Sequence, residues 1–261
     1  MAGDARARLV TFNALVLAGS RGGADPLTAY AGVTDKAMIE IGGHTMLARV
    51  IAALRAAGAG RIAVVFSSDT VRAHAEALGA EVIAAAAGPS ASAARGFAQL
   101  GAPLLVTTAD HALLEPDWIT RFLADVPADA DVAVLLARRD VIEQAVPETK
   151  RTYLRFADGA WSGCNLFHLA TPKAAAAIDL WQRVEADRKR PWRIVGRLGP
   201  KLLWRYLIGR LTLAEGLGHV GKLAGVTARM VGSPFGLAAV DVDKPSDLDL
   251  VRGLIEKTPK P

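Results

Sequence analysis

With 261 residues and 51% hydrophobic content the chain can bury a full core as one domain, 1–261, and its single cysteine, Cys164, excludes an internal disulfide or a thiolate zinc site, as suits a reducing cytoplasm. A net charge of +5 favours anionic partners, whereas aromatic residues are only 6% and are not interleaved with the basic ones, which argues against nucleic acid. No stretch reaches the roughly 18 consecutive apolar residues that cross a bilayer, so the expectation is a cytoplasmic protein that is soluble or at most peripheral to a membrane.

The opening "MAGDARARLVTFNALVLAG" reaches glycines too early for a signal peptide and reads as a first strand. Further apolar runs follow as "RIAVVF" at Arg61, "AEVIAA" at Ala80, "PLLVTT" at Pro103 and "DVAVLLA" at Asp131. Between them lie the helical patterns "TMLARVIAALRAAG", "TVRAHAEALGA", "SASAARGFAQL" and "PDWITRFLADV". Such alternation predicts an α/β fold, a mostly parallel sheet with helices on both faces. After Glu143 the rhythm changes. "RTYLRFADGAWSGCNLFHL" predicts two strands joined at Asp158 and Gly159, hence a mixed sheet. A helix from Pro172, a basic tract from Arg188 to Arg197 and an apolar helix from Pro200 come next, the last placing Lys201, Arg205 and Thr212 on one stripe. This elaboration, about 185–222, is so apolar that it must be buried, dimerise or lie against an anionic membrane, with 185–215 as the contact in the last two cases. The closing segment predicts two strands, the second ending at Asp241 and Asp243, and a helix from Pro245.

Ligands of open α/β sheets bind beyond the carboxyl ends of the strands, which is where "LAGSRGG", Leu17 to Gly23, stands. Its glycines, Gly19, Gly22 and Gly23, let backbone N–H groups of Leu17, Ala18 and Ser20 approach phosphate oxygens, and Arg21 offers a guanidinium fork. A turn would need no more than this, and neither G-x-G-x-x-G nor G-K-[ST] is present. Asp110 closes a buried strand and is a natural hard-oxygen ligand for Mg²⁺. His111 beside it reads as a packing or hydrogen-bonding residue. In "VDVDKPSDLDL" capping accounts for Asp247 and also suits Asp243.

The stretch "LVLAGSRGG" with "TDKAMIEIGGHTML" resembles the opening of the nucleotidyltransferases related to molybdenum-cofactor guanylyltransferase, in which a glycine loop precedes an Asp-Lys pair and G-x-x-(L/M)-L. The resemblance implies a Rossmann-like, GT-A-like nucleotidyltransferase fold with Lys36 on the triphosphate. It further implies Mg²⁺ at Asp110 and Asp243 with Asp241 in reserve, the nucleobase at Gly88, Pro89 and Ser90, and the acceptor at Gly163 and Asn165. Ser90 or Ser92 could equally cap a helix, and Asn165 could be a turn residue. The glycine loop is shorter than the usual pattern, and "ADPLTAYAGV" adds residues before Asp35. The expected activity is transfer of NMP from an NTP, GTP or CTP, to a phosphorylated small molecule, with Lys36, Arg21 and Asp110 as the catalytic residues. A glycosyltransferase of the related sheet type would need D-x-D, where "TAD" lacks the first acid. A regulatory nucleotide-binding module would not need the acids.

Overall fold

A computed structural model describes residues 11–19, 25–149, 151–187 and 199–257. The main sheet runs in the order β10-β7-β9-β6-β1-β4-β5. These strands are β1 (Phe12–Leu17), β4 (Ala59–Phe66), β5 (Glu81–Ala84), β6 (Leu104–Thr108), β7 (Val132–Arg138), β9 (Gly159–Leu169) and β10 (Ala228–Ser233), and β8 (Leu154–Phe156) pairs with β9. A short hairpin, β2 (Glu40–Ile41) and β3 (His44–Thr45), stands apart. β9 runs antiparallel to β6 and β7, while the other neighbours on the main path are parallel. The expected mixed sheet is therefore present.

The central strand β1 alternates its burial between two cores. Ala14 and Val16 face the one that holds α2 (Met46–Ala56), α3 (Asp69–Ala77), α5 (Pro116–Asp125), α6 (Arg139–Ala145) and α10 (Pro245–Lys257). Leu15 faces the other, with α4 (Pro89–Leu100) and α7 (Ala174–Ala186). Helix α2 illustrates the local cause. Thr45 accepts from the Ala48 amide as N-cap, and Met46, Leu47, Val50, Ile51 and Leu54 form one buried stripe at helical spacing. Helix α4 comes close to β1 because residue 96 is glycine; a Cβ there would lie 2.4 Å from a methyl of Leu15.

Three sequence expectations change. The residues read as an interval before Asp35 contain α1 (Pro26–Ala31), whose N-cap Asp25 accepts from the Leu27 amide. The helix expected to run from Pro200 through Thr212 is two helices, α8 (Pro200–Leu207) and α9 (Leu213–Ala224). The chain takes a left-handed turn at Gly209, φ 66°, and Thr212 caps α9 in a reciprocal pair with Glu215. The expected strand before Asp241 is a 3₁₀ turn, Gly236–Ala239. There the chain crosses over α6, where a Cβ on Gly236 would meet the Val141 carbonyl oxygen at 2.3 Å, instead of joining the sheet edge. Val240 and Val242 are nevertheless buried, which explains their strand-like alternation.

Candidate functional site

After β5 the chain crosses back past β1 to form β6, so the carboxyl ends of β1 and β6 lie side by side where the direction of winding reverses. The exit of β1 is pinned on both flanks. The Ala18 amide donates to the Val65 carbonyl at 3.0 Å and the Ala109 amide to the Leu17 carbonyl at 3.1 Å. Gly19 faces Ala85, with a Cβ-to-Cβ distance of 3.6 Å were it alanine, so the β1 loop begins against the loop that leads to Gly88. Ser20, Arg21, Gly22 and Gly23 lie outside the described residues.

Lys36 begins a 3₁₀ turn, Lys36–Met38, anchored by the buried Ala37 and Ile39. Its ammonium donates to Asp110 Oδ2 and to Asp243 Oδ1, both at 2.6 Å. Burial disfavours the charge, but the coulombic attraction and hydrogen bonds of Asp110 and Asp243 outweigh it and hold the lysine pKa above its ordinary value. Asp110 is fixed from three sides. Thr108 donates its hydroxyl to Oδ1, Lys36 holds Oδ2, and the Asp110 carbonyl accepts from the Val242 amide at 3.1 Å. That last bond brings the 241–243 segment to β6. Asp247 Oδ2 accepts from the amides of Asp243 and Lys244 at 3.1 and 3.2 Å, so the expected capping role of Asp247 is present.

Asp241 points elsewhere. Its two oxygens accept from Arg151 Nη2 and Asn165 Nδ2, each at 2.8 Å. Asn165 has a left-handed backbone, φ 50°, and falls where the β7–β9 register shifts between Val134 and Leu136. A bulge of this kind re-aims a side chain, here towards Asp241. Gly163, two residues earlier, is exposed, and a Cβ there would meet nothing within 4 Å. Arg151 was not singled out from sequence; nothing but its charge ahead of the hairpin marks it.

At the base segment Gly88 is the N-cap of α4 in extended conformation, without a side-chain cap. The Ser90 amide donates to Glu185 Oε2 at 3.1 Å, and a Cβ on Gly88 would lie 2.5 Å from Glu185 Oε1. The capping expected of Ser90 or Ser92 thus comes from α7, while Ser92 accepts from the Ala86 amide. Glu185 was likewise invisible in the sequence, because the contact spans 95 positions.

His111 is buried against Trp118, ring centroids 6.1 Å apart, and its pKa falls to about 4, chiefly through burial. Cys164 is buried, and its thiol is pushed up to about 12 by desolvation, so it is no nucleophile. Among the described residues no three His, Cys, Asp or Glu side chains gather as a metal cage.

A family model described as the MobA-like NTP transferase domain matches residues 14–199. The chain belongs to the MobA-like NTP transferase family. Nucleotidyl transfer from an NTP is the chemistry of that family, and the mixed sheet is its fold. A hypothetical transferase from Thermus thermophilus is 30% identical, with a TM-score of 0.78 over 91% of this chain and 99% of its own. A nucleotidyl transferase from Methanothermobacter thermautotroptrophicus is 19% identical, TM-score 0.60, over 96% and 100% of the two chains. The 2-C-methyl-D-erythritol 4-phosphate cytidylyltransferase of Thermus thermophilus is 17% identical, TM-score 0.54, over 94% and 99%. The last two likenesses concern the fold. Comparison with curated proteins found no match.

Proposed function

We propose that this protein is a Mg²⁺-dependent nucleotidyltransferase that moves NMP from an NTP, GTP or CTP, to a phosphorylated small-molecule acceptor. An acceptor phosphate oxygen forms a bond to the α-phosphorus, the bond from that phosphorus to the β-phosphate oxygen breaks, and pyrophosphate leaves. The observation that carries this proposal is the Lys36 ammonium held between Asp110 and Asp243 beside the exit of β1.

A phosphate nucleophile is already ionised at neutral pH, so the chain needs no dedicated general base, and its work is positioning and charge neutralisation. The backbone from Leu17 to Gly19, with Ser20 to Gly23, receives the phosphates, and Arg21 and Lys36 neutralise them. Gly88, Pro89 and Ser90 receive the base beside Glu185. Gly163 and Asn165 face the acceptor, and Arg151 and Asp241 fix the Asn165 amide. Asp110 and Asp243 suit Mg²⁺, which takes one or two protein carboxylates and leaves its other positions to water and phosphate. The two oxygens already converge on a single cationic atom, and the ion would supply further charge neutralisation at the phosphates. Because NTPs are cytoplasmic, the reaction belongs there.

The test is pyrophosphate release from each of the four NTPs, with and without Mg²⁺, against phosphorylated sugars, polyols and cofactor precursors. Release that needs one NTP, one acceptor and the metal is expected. Cleavage of an NTP with equal efficiency in the absence of any acceptor would sink the proposal.

A further inference from the structure

Several of the large apolar side chains that remain exposed lie on β8, α8 and α9. They include Leu207, 72% exposed, Trp204, 60% exposed, and Tyr206, Ile208, Leu154 and Leu223. Helix α8 has no buried residue at all. Eight residues do not hold a helix in water by themselves. Among the described residues, α8 is tied to the protein by Arg205, which reaches Glu215 at 2.8 Å, by the ring of Tyr206, which meets Phe156 edge-on at 5.6 Å, and by the half-buried Leu202 and Leu203, which line a groove with Leu211 and Leu213. Leu207 and Trp204 are left pointing outward. Behind them an apolar groove of about 410 Å³ runs between β8, α8 and α9, and a second of about 360 Å³ shares Leu217 and Val220 with it and opens between α7 and α9.

The free charge around the β8, α8 and α9 face is mostly basic, because Asp158 is taken up as an acceptor for the Leu213 amide at 3.0 Å. Arg155, Lys201, Arg210 and Lys222 are exposed and have no carboxylate partner among the described residues. Glu215, the acid carried by these elements, is engaged by Arg205. A second copy of the chain is a poor occupant, since a two-fold interface buries the same patch of both copies and would bring two sets of Lys201, Arg210 and Lys222 together. Anionic headgroups over hydrocarbon meet both features at once, and Trp and Tyr rings suit the boundary between them.

We propose that the face formed by β8, α8 and α9 docks on an anionic lipid bilayer, with Trp204 and Leu207 entering the headgroup boundary and Arg155, Lys201, Arg210 and Lys222 meeting the lipid charge. The docked face adjoins the acceptor side, because Leu154 follows Arg151 by three positions and Arg151 holds Asp241 beside Asn165. Docking does not depend on the catalytic proposal.

The test is sedimentation of the full chain with phosphatidylcholine vesicles and with vesicles containing phosphatidylglycerol, at low salt and at about 0.5 M salt. Each basic group near the surface multiplies binding roughly fivefold, so three or more engaged together give on the order of a hundredfold preference for the anionic vesicles. Salt should reduce that preference. Trp204→Glu with Leu207→Glu should abolish binding, while Lys201→Glu with Arg210→Glu should remove the lipid preference. Both variants should keep the wild-type melting temperature and NTP affinity, since the altered side chains are exposed. Equal absence from both pellets would overturn the docking proposal. So would undiminished binding by the double-glutamate variant of Trp204 and Leu207, or a dimer in light scattering that this variant dissolves. None of these results touches pyrophosphate release with a soluble acceptor, so docking and catalysis fail separately.

Discussion

If Asp110 and Asp243 hold the metal as proposed, the Lys36 ammonium competes with it for the same two carboxylates, so deleting its charge should tighten metal binding by the nucleotide-free protein even as it impairs the reaction. Lys36→Met keeps the apolar stem and removes the ammonium. In the wild type an entering ion must displace that ammonium from both carboxylates. The Asp243 side chain is 66% exposed, and its pair is worth at most about 1 kcal/mol after screening. Asp110, 18% exposed and held by Thr108, contributes at least as much. The displacement therefore costs about 1–2 kcal/mol, which is roughly tenfold in affinity. Mn²⁺ titration followed by electron paramagnetic resonance, at pH 7 and without nucleotide, reads this directly. At that pH Lys36 is charged, its pKa being held above an already high ordinary value. About tenfold tighter Mn²⁺ binding by Lys36→Met, together with weaker NTP binding in the absence of metal, is expected on these grounds. Unchanged or weaker Mn²⁺ binding would refute the reasoning, because it would mean that Asp110 and Asp243 do not converge on a cation site.

Asp110→Asn, nearly isosteric, should lower Mg²⁺-dependent pyrophosphate release by at least about a hundredfold with the fold retained by circular dichroism; more than a tenth of the wild-type rate would remove Asp110 from the site. Asp243→Asn should lose less, since that carboxylate is the more exposed of the two. Arg151→Ala frees Asp241 from its guanidinium and loosens Asn165, so the acceptor KM should rise while the NTP KM stays within about twofold, a split that steady-state kinetics resolves. His168 is buried in β9, and burial lowers its pKa to about 4. The unfolded chain then binds more protons than the folded one below pH 6.5, so the stability present at pH 7 declines as the pH falls from 6.5 through 4. Urea denaturation should show a loss of about 2 kcal/mol attributable to this group between pH 7 and 5, absent in His168→Gln.

The strands β1, β4, β5, β6 and β7 were legible in the sequence because each is buried by contiguous apolar residues, and the helices between them because their apolar positions recur at helical spacing. Asp110 was marked by its place at the end of a buried strand, whereas Lys36 and Asp243 were marked by the resemblance of the stretches around them to the nucleotidyltransferase pattern. The signals that failed were those with two local meanings. Val240 and Val242 alternate with acids as a strand would, yet they are buried by a crossing over α6 and not by pairing. The apolar run from Leu202 to Leu211 looks like one helix, and only the left-handed turn at Gly209 together with the Thr212–Glu215 cap divides it. Hydrophobic spacing is a property of neighbours in the chain, so the sequence by itself settles where the strands and helices form whose apolar pattern has a single local meaning. Convergence is a property of distant segments. The Lys36 ammonium touches residues 74 and 207 positions away, and Glu185 reaches Ser90 across 95. Those meetings follow from the strand order, from the amide of Val242 on the carbonyl of Asp110, and from the bulge that turns Asn165 towards Asp241, none of which exists until the sheet has closed around β1.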